Sequence, residues 1–249
     1  MPSYTPPANL LKDRTILVTG AGGGIGRAAS LTYARLGAQV ILLGRSVAKL
    51  EQVYDEIEAA GGPSPIIYPL DLEGANVDNY AELAQRIETE LGQLDGILHN
   101  AAALGVLCPI ELYPPQTWVQ TLMVNLNAPF LLTQTCLPLL KKRADAAIVF
   151  TMDRVGQQGK AYWGGYGVSK AATENLMEIL ADELENTAVR VNAINPGPSQ
   201  TNLRIKAYPG ENPQNVPPPE KIMALYAHLM GPDSKGIRGQ TLDAKDWTV

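Results

Sequence analysis

The sequence predicts a single doubly wound α/β domain spanning residues 1–249, with a mostly parallel seven-stranded sheet covered by helices on both faces. Three observations lead there. Short apolar runs recur with little polar alternation, helical patterns separate them, and a glycine-rich turn comes after the first run. Strands that read as continuous apolar segments are buried on both faces, and intervening helices make them parallel. With 249 residues, 45% of them hydrophobic and 18% charged, the chain can bury a sizeable core, and disorder is excluded.

Thr15–Thr19 is a β-branched apolar run that enters the glycine turn, and Val40–Leu43, Ile66–Tyr68 and Gly96–Leu98 repeat the pattern. Ala146–Phe150 and Val189–Ile194 give two more strands, and Gly239–Asp243 reads as a closing one. Between them, Leu83, Ile87 and Leu91 fall on one face of a helix over 76–91. Leu176, Ile179, Leu180 and Leu184 do the same over 166–185. The run Pro217–Pro219 suits the first turn of a helix over Glu220–Met230. The N-terminal Pro-containing lead and residues 207–219 are expected to be flexible.

Composition narrows the function classes. A net charge of −5, from 25 acidic against 20 basic residues, argues against nucleic acid or an anionic membrane as main partner. No apolar run approaches the roughly 18 residues of a membrane span. The start lacks the basic and apolar regions of a signal peptide. Cys108 and Cys136 form no disulfide or metal-ligand spacing, so a cytoplasmic chain without a metal site is expected.

Chemistry enters at Gly20-Ala-Gly-Gly-Gly24-Ile25-Gly26, which joins the first strand to a helix. Glycines allow a sharp turn and close approach to a pyrophosphate, while the helix N-terminus offers free N–H groups. A glycine-rich turn that merely packs tightly is the bland alternative; the strand–turn–helix context favours dinucleotide binding. An acidic residue about 20 positions on usually holds the ribose 2′-hydroxyl of NAD. Here no Asp or Glu occurs between Gly26 and Glu51, and the second strand ends at Arg45, whose fork suits a 2′-phosphate. NADP(H) is therefore preferred over NAD(H), against the alternative of a solvated arginine.

Tyr166 and Lys170, at i and i+4, share a helix face. A cation beside a phenol favours its ionised form, and such a pair next to a nicotinamide can pass a proton while hydride moves. Alone the spacing is common by chance.

Taken together, these motifs resemble the short-chain dehydrogenase/reductase family over essentially the whole chain. The matching pieces are Gly20-x-x-x-Gly24-x-Gly26, Asp71-Leu72, Asn100-Ala101, Asn125, Tyr166-x-x-x-Lys170 and Asn195-Pro196-Gly197 with Thr201 after them. The segment Trp163-Gly-Gly-Tyr166-Gly-Val-Ser-Lys170 is similar to a group of uncharacterised bacterial oxidoreductases. The resemblance implies a Rossmann-type fold and hydride transfer between nicotinamide and a small carbonyl or alcohol substrate. Tyr166 would be the acid–base, Lys170 would hold the nicotinamide ribose and lower the tyrosine pKa, and Asn125 would position a relay water, with a buried structural amide as its alternative. Asp71 and Leu72 would contact the adenine, Asn100 the ribose region, and Pro196, Gly197 and Thr201 the nicotinamide end. Residues 198–219 would form the variable substrate loop, and a homodimer or homotetramer is implied.

The sequence departs from that pattern at one decisive place. The family normally places a serine thirteen residues ahead of the tyrosine, to donate to the substrate carbonyl, and here that residue is Asp153. Residues 152–165 contain no Ser or Thr, and Thr151 is one strand step away. An ionised carboxylate is acceptor-only, and it would raise the pKa of Tyr166. Losing one such donor costs about 3–4 kcal/mol of transition-state stabilisation. Three readings stay open: a protonated Asp153 that donates; an ionised one paired with Lys170, Arg154 or a cationic substrate; or a cofactor-binding module with little catalysis. Ala102, at a position the family gives to glycine, would be strained if it required φ > 0. His99, His228 and both cysteines read as packing residues, and Tyr162 and Trp163 as either the substrate mouth or packing.

Overall fold

The computed structural model describes residues 4–247. Its strands are β1 (Thr15–Thr19), β2 (Gln39–Gly44), β3 (Ile66–Pro69), β4 (Gly96–His99), β5 (Ala146–Thr151), β6 (Val189–Asn195) and β7 (Thr241–Asp243). They form one sheet in the order β3-β2-β1-β4-β5-β6-β7, parallel throughout. The helices are α1 (Gly24–Arg35), α2 (Val47–Ala59), α3 (Val77–Arg86), α4 (Pro115–Leu122) and α5 (Ala128–Lys141). They continue with α6 (Arg154–Gln157), α7 (Gly164–Glu183), α8 (Asn202–Ala207) and α9 (Met223–Met230).

Alternate strand residues split between two cores, as a pleated sheet covered on both sides requires. Leu17, Ile41, Ile97, Ile148 and Val191 pack with residues of α3, α5 and α7. Ile16, Val40, Leu42, Leu98 and Val149 pack with residues of α1, α2 and α9. The chain reverses its winding between β1 and β4, so the crevice where ligands bind such sheets opens beyond their carboxyl ends. The loops after β1, β4, β5 and β6 meet there.

Four local expectations change. The 76–91 helix is capped by Asn76, whose side chain accepts from Asn79 N–H, and widens into a π turn over Ile87–Leu91. In α7 the buried stripe runs through Tyr166, Lys170, Thr173, Met177 and Ala181, while Ile179 is exposed. The proline-started helix opens with a tighter 3-10 turn, Pro219–Ile222, before α9. Residues 207–219, expected to be flexible, contain the end of α8 and a 3-10 turn at Pro213–Asn215 capped by Asn212.

The described part of the N-terminal lead is docked: Tyr4 donates to Asp233 and sits edge-on to His228 and Trp247. Residues 1–3 lie outside the described residues. His99, on β4, is buried, bonded to Thr133 and stacked on Phe150, and burial alone pushes its pKa down to about 3. Cys136 is buried in the core and Cys108 is half-buried, both as free thiols. No helix among the described residues is long and apolar enough to cross a membrane.

Candidate active site

The turn after β1 is built by steric necessity. Gly20 and Gly24 adopt φ of +69° and +53°, which side-chain-bearing residues rarely hold. A Cβ at Gly26 would lie 2.2 Å from the Gly20 carbonyl oxygen, so only glycine lets α1 start there. The Thr19 hydroxyl accepts from the N–H groups of Asn100 and Ala101, tying the ends of β1 and β4 together. No side chain caps α1, and its first turn opens into a cavity of about 370 Å³. That uncapped, glycine-lined turn fits a pyrophosphate.

One end of the cavity is basic. Arg45, just past β2, and Lys49, one helical turn later, line it beside the glycine turn. Both are exposed, and neither forms an ion pair among the described residues. Gly22 packs against Lys49, since a Cβ there would meet the Lys49 Cβ at 2.9 Å. Sequence reasoning missed Lys49, although its spacing from Arg45 was a usable signal.

At the other end lie Tyr166 and Lys170 of α7 with Asp153, just past β5. The Lys170 ammonium is buried and donates to the Thr151 carbonyl at 2.7 Å; burial lowers its pKa to about 8. Tyr166 is buried and donates its hydroxyl to Asp153 Oδ2 at 3.2 Å. Its pKa is pushed well up, first by burial and then by the Asp153 charge and hydrogen bond. The direction is opposite to the lowering by Lys170 that the resemblance implied, with burial the larger cause and the carboxylate adding to it. Asp153 Oδ1 accepts from Val155 N–H at 3.2 Å and caps α6. Thr151 does not replace the missing serine: its hydroxyl lies 3.2 Å from the Tyr226 hydroxyl and 3.5 Å from Asn100 Oδ1.

Asn100, Ile25, Pro196, Gly197 and Thr201 also line this cavity. Thr201 caps α8 through Arg204 N–H, and its methyl would touch a Cβ added at Gly24. Other predicted residues stand elsewhere. Asp71 is exposed and Leu72 is packed in the core, and neither lines the cavity. Asn125 is buried behind it, in a π turn over Met123–Asn127. Its side chain donates to the Ala103 carbonyl at 2.9 Å and accepts from Ala103 N–H at 2.7 Å. A third bond, to Ser169 of α7, makes Asn125 a clamp between the loop after β4 and the helix of Tyr166. Ala102 is absent from the positive-φ residues, so no strain arises there.

A further wall comes from α8 and Tyr208 just beyond it, inside the 198–219 segment that the resemblance gives as the variable substrate loop, though the motifs single out no residue of that wall. Trp163, Tyr166 and Ala207 form a small apolar cluster against which Leu203 and Tyr208 pack. Arg204 stacks on Tyr208 at 3.7 Å and is held by Glu211. Nothing in the local sequence marks Tyr208 as a neighbour of Trp163. Tyr162, in contrast, does not line the cavity: it is exposed, with φ of +75°.

A family model for short chain dehydrogenases matches residues 14–212. The chain belongs to this family. It is 50% identical over 242 residues to the uncharacterised oxidoreductase YciK of Escherichia coli K12, covering 97% of this chain and 96% of that one. A short chain dehydrogenase structure from Salmonella enterica serovar Typhi superposes with a TM-score of 0.95 at 48% identity, covering 97% and 100% of the two chains. An Escherichia coli CFT073 member, solved in complex with NADPH, gives 0.94 at 50% identity, covering 96% and 100%. The family membership makes this protein an oxidoreductase of that class.

Proposed function

We propose that this protein is an NADP(H)-dependent oxidoreductase that moves hydride between nicotinamide and a polarised double bond of a small substrate. The observation that carries the reading is one continuous cavity joining the Gly20–Gly26 turn and Arg45 to the Tyr166–Lys170 pair. When bound, the nicotinamide supplies hydride. The uncapped first turn of α1 holds the pyrophosphate, and Arg45 with Lys49 takes the 2′-phosphate. A structural relative solved with NADPH supports NADP(H) binding. Lys170 orients the ribose, with Pro196, Gly197 and Thr201 beside the nicotinamide.

Tyr166 stays protonated at neutral pH and so acts as the proton donor of a reduction. Asn125 serves as a positioning residue for the helix that carries it. Residues 198–219 cover the substrate, and Asp71 with Leu72 supports the adenine side from outside the cavity. Exposed Phe130, Val168 and Ile179 on α5 and α7 suit a self-association face, which supports a homodimer or homotetramer. Asp153 favours a second reading, a cofactor-binding module with little catalysis, because it removes the expected donor. NADPH oxidation by wild type against Tyr166→Phe decides between them. Turnover lost in the variant with NADPH binding kept supports the enzyme; no turnover by wild type on any reducible substrate supports the module.

A further inference from the structure

Neither basic residue expected beside Asp153 forms an ion pair with it, although Lys170, on the same cavity wall, feels its charge. Arg154 pairs instead with Asp243 at 3.1 Å, and Lys170 donates to the Thr151 carbonyl. Among the described residues no ammonium or guanidinium lies within ion-pairing distance of Asp153. Of the other basic residues rimming the adjoining cavity of about 430 Å³, Lys160 and Lys245 form no ion pair with it and Arg204 is paired with Glu211. Helix capping does not account for the residue type, because serine caps as well as aspartate and only Oδ1 is used. Oδ2 is left beside Tyr166, half-buried, as an acceptor where a carbonyl substrate needs a donor. A carbonyl oxygen set there would bring lone pairs against a carboxylate. A protonated C=N group would bring an N–H and a positive charge.

We propose that the reducible group this site takes is a protonated carbon–nitrogen double bond, its N–H held by Asp153 Oδ2 beside the Tyr166 hydroxyl. This rests on the oxidoreductase reading above and narrows its substrate class. In the reduction, carbon gains a C–H bond from hydride and the C=N π pair becomes the nitrogen lone pair. The cation thereby becomes a neutral amine, and NADPH leaves as NADP⁺. A substrate entering as the neutral imine first takes the Tyr166 proton, which solvent restores. Asp153 stabilises the cation in either case.

The test is a fluorescence titration of the NADP⁺-loaded protein, read at Trp163 in the cavity wall, with benzamidine, benzamide and benzoate. Benzamidine is cationic at neutral pH and cannot be reduced. Wild type should bind it about ten-fold tighter than benzamide, with benzoate weakest, and Asp153→Asn should erase the preference. Asp153→Ser keeps the α6 cap and should erase it as well, which guards against a misfolded Asn variant. In turnover, a cyclic imine should outpace the ketone of the same ring in wild type, with the order reversed in Asp153→Ser. Benzamide binding as tightly as benzamidine, or a preference that survives Asp153→Asn, would overturn the proposal. NADPH binding, measured with no third ligand, is read separately. If it fails, the oxidoreductase reading falls; if it holds without a cation preference, only this inference does.

Discussion

A single methyl group at residue 26 tests the phosphate turn directly, since its Cβ would stand 2.2 Å from the Gly20 carbonyl oxygen and 2.7 Å from Asn100 Nδ2. Gly26→Ala must displace the turn, so NADPH affinity should fall by about ten-fold or more while far-UV circular dichroism stays unchanged. Arg45 makes a different prediction, because it is exposed and unpaired and its removal costs the fold nothing. Arg45→Ala should weaken NADPH by about ten-fold and leave NADH within about two-fold, read as two fluorescence Kd values. Equal losses for the two cofactors would assign Arg45 a general role in binding. Both residues were legible in the sequence because each acts through a short-range rule: a glycine where a turn needs one, an arginine where the acidic residue is missing. Asp153 was legible for the same reason, being a departure at a fixed distance from Tyr166. What it touches was not, since Arg154, its neighbour in sequence, and Lys170, on the helix that carries Tyr166, both bond elsewhere.

Helix α7 delivers Tyr166 and Lys170, and the bonds holding its first turns come from distant elements. Asn125 joins Ala103 to Ser169, and Thr173 donates to the Asn125 carbonyl at 2.9 Å. Asn125→Ala strands the Ala103 N–H and carbonyl, with Ser169 losing a donor. Chemical denaturation should report a loss of about 2–3 kcal/mol. A water-positioning role alone would leave stability unchanged and lower only turnover. The sequence marks Asn125 as a motif residue, but not as a clamp, because Ala103 and Ser169 meet it only after β4, α5 and α7 have packed. The misplaced stripe in α7 has the same origin. Leucine and isoleucine spacing marks Ile179 as core, yet the buried surface of α7 is lined by Tyr166, Lys170, Thr173 and Met177. Polar residues needed by the site occupy positions that hydrophobicity alone would assign to solvent.

At the scale of the whole molecule, one buried charged junction ties distant segments together. Arg190 of β6 is 1% exposed and bonds Asp145, the carbonyls of Leu229 and Gly231, and Ser234. Arg14 reaches the same Asp145 carboxylate and the Met230 carbonyl. Four segments far apart in sequence meet there, so no local pattern announces it; only the strand order β1-β4-β5-β6 brings them together. Asp145→Ala leaves two buried or half-buried guanidinium groups without a carboxylate, and should destabilise by about 3–5 kcal/mol. Acid should weaken the fold through the same junction and through His99. The arginines hold the Asp145 carboxyl below the usual range, so its contribution is present above the unfolded pKa and is lost as pH falls through the folded one. For His99 the folded pKa is about 3 against roughly 6.5 unfolded. Between those values only the unfolded chain binds the proton, so stability declines as pH drops from about 6.5 towards 3. The slope approaches ~1.4 kcal/mol per pH unit, in a window above that of Asp145. His228 is shifted the same way by burial and adds to it. His99→Gln keeps a hydrogen-bonding group for Thr133 and removes the titration. Its unfolding free energy, measured by urea between pH 7 and 4.5, should be flatter with pH than that of wild type. Parallel pH curves for the two proteins would show that acid acts elsewhere.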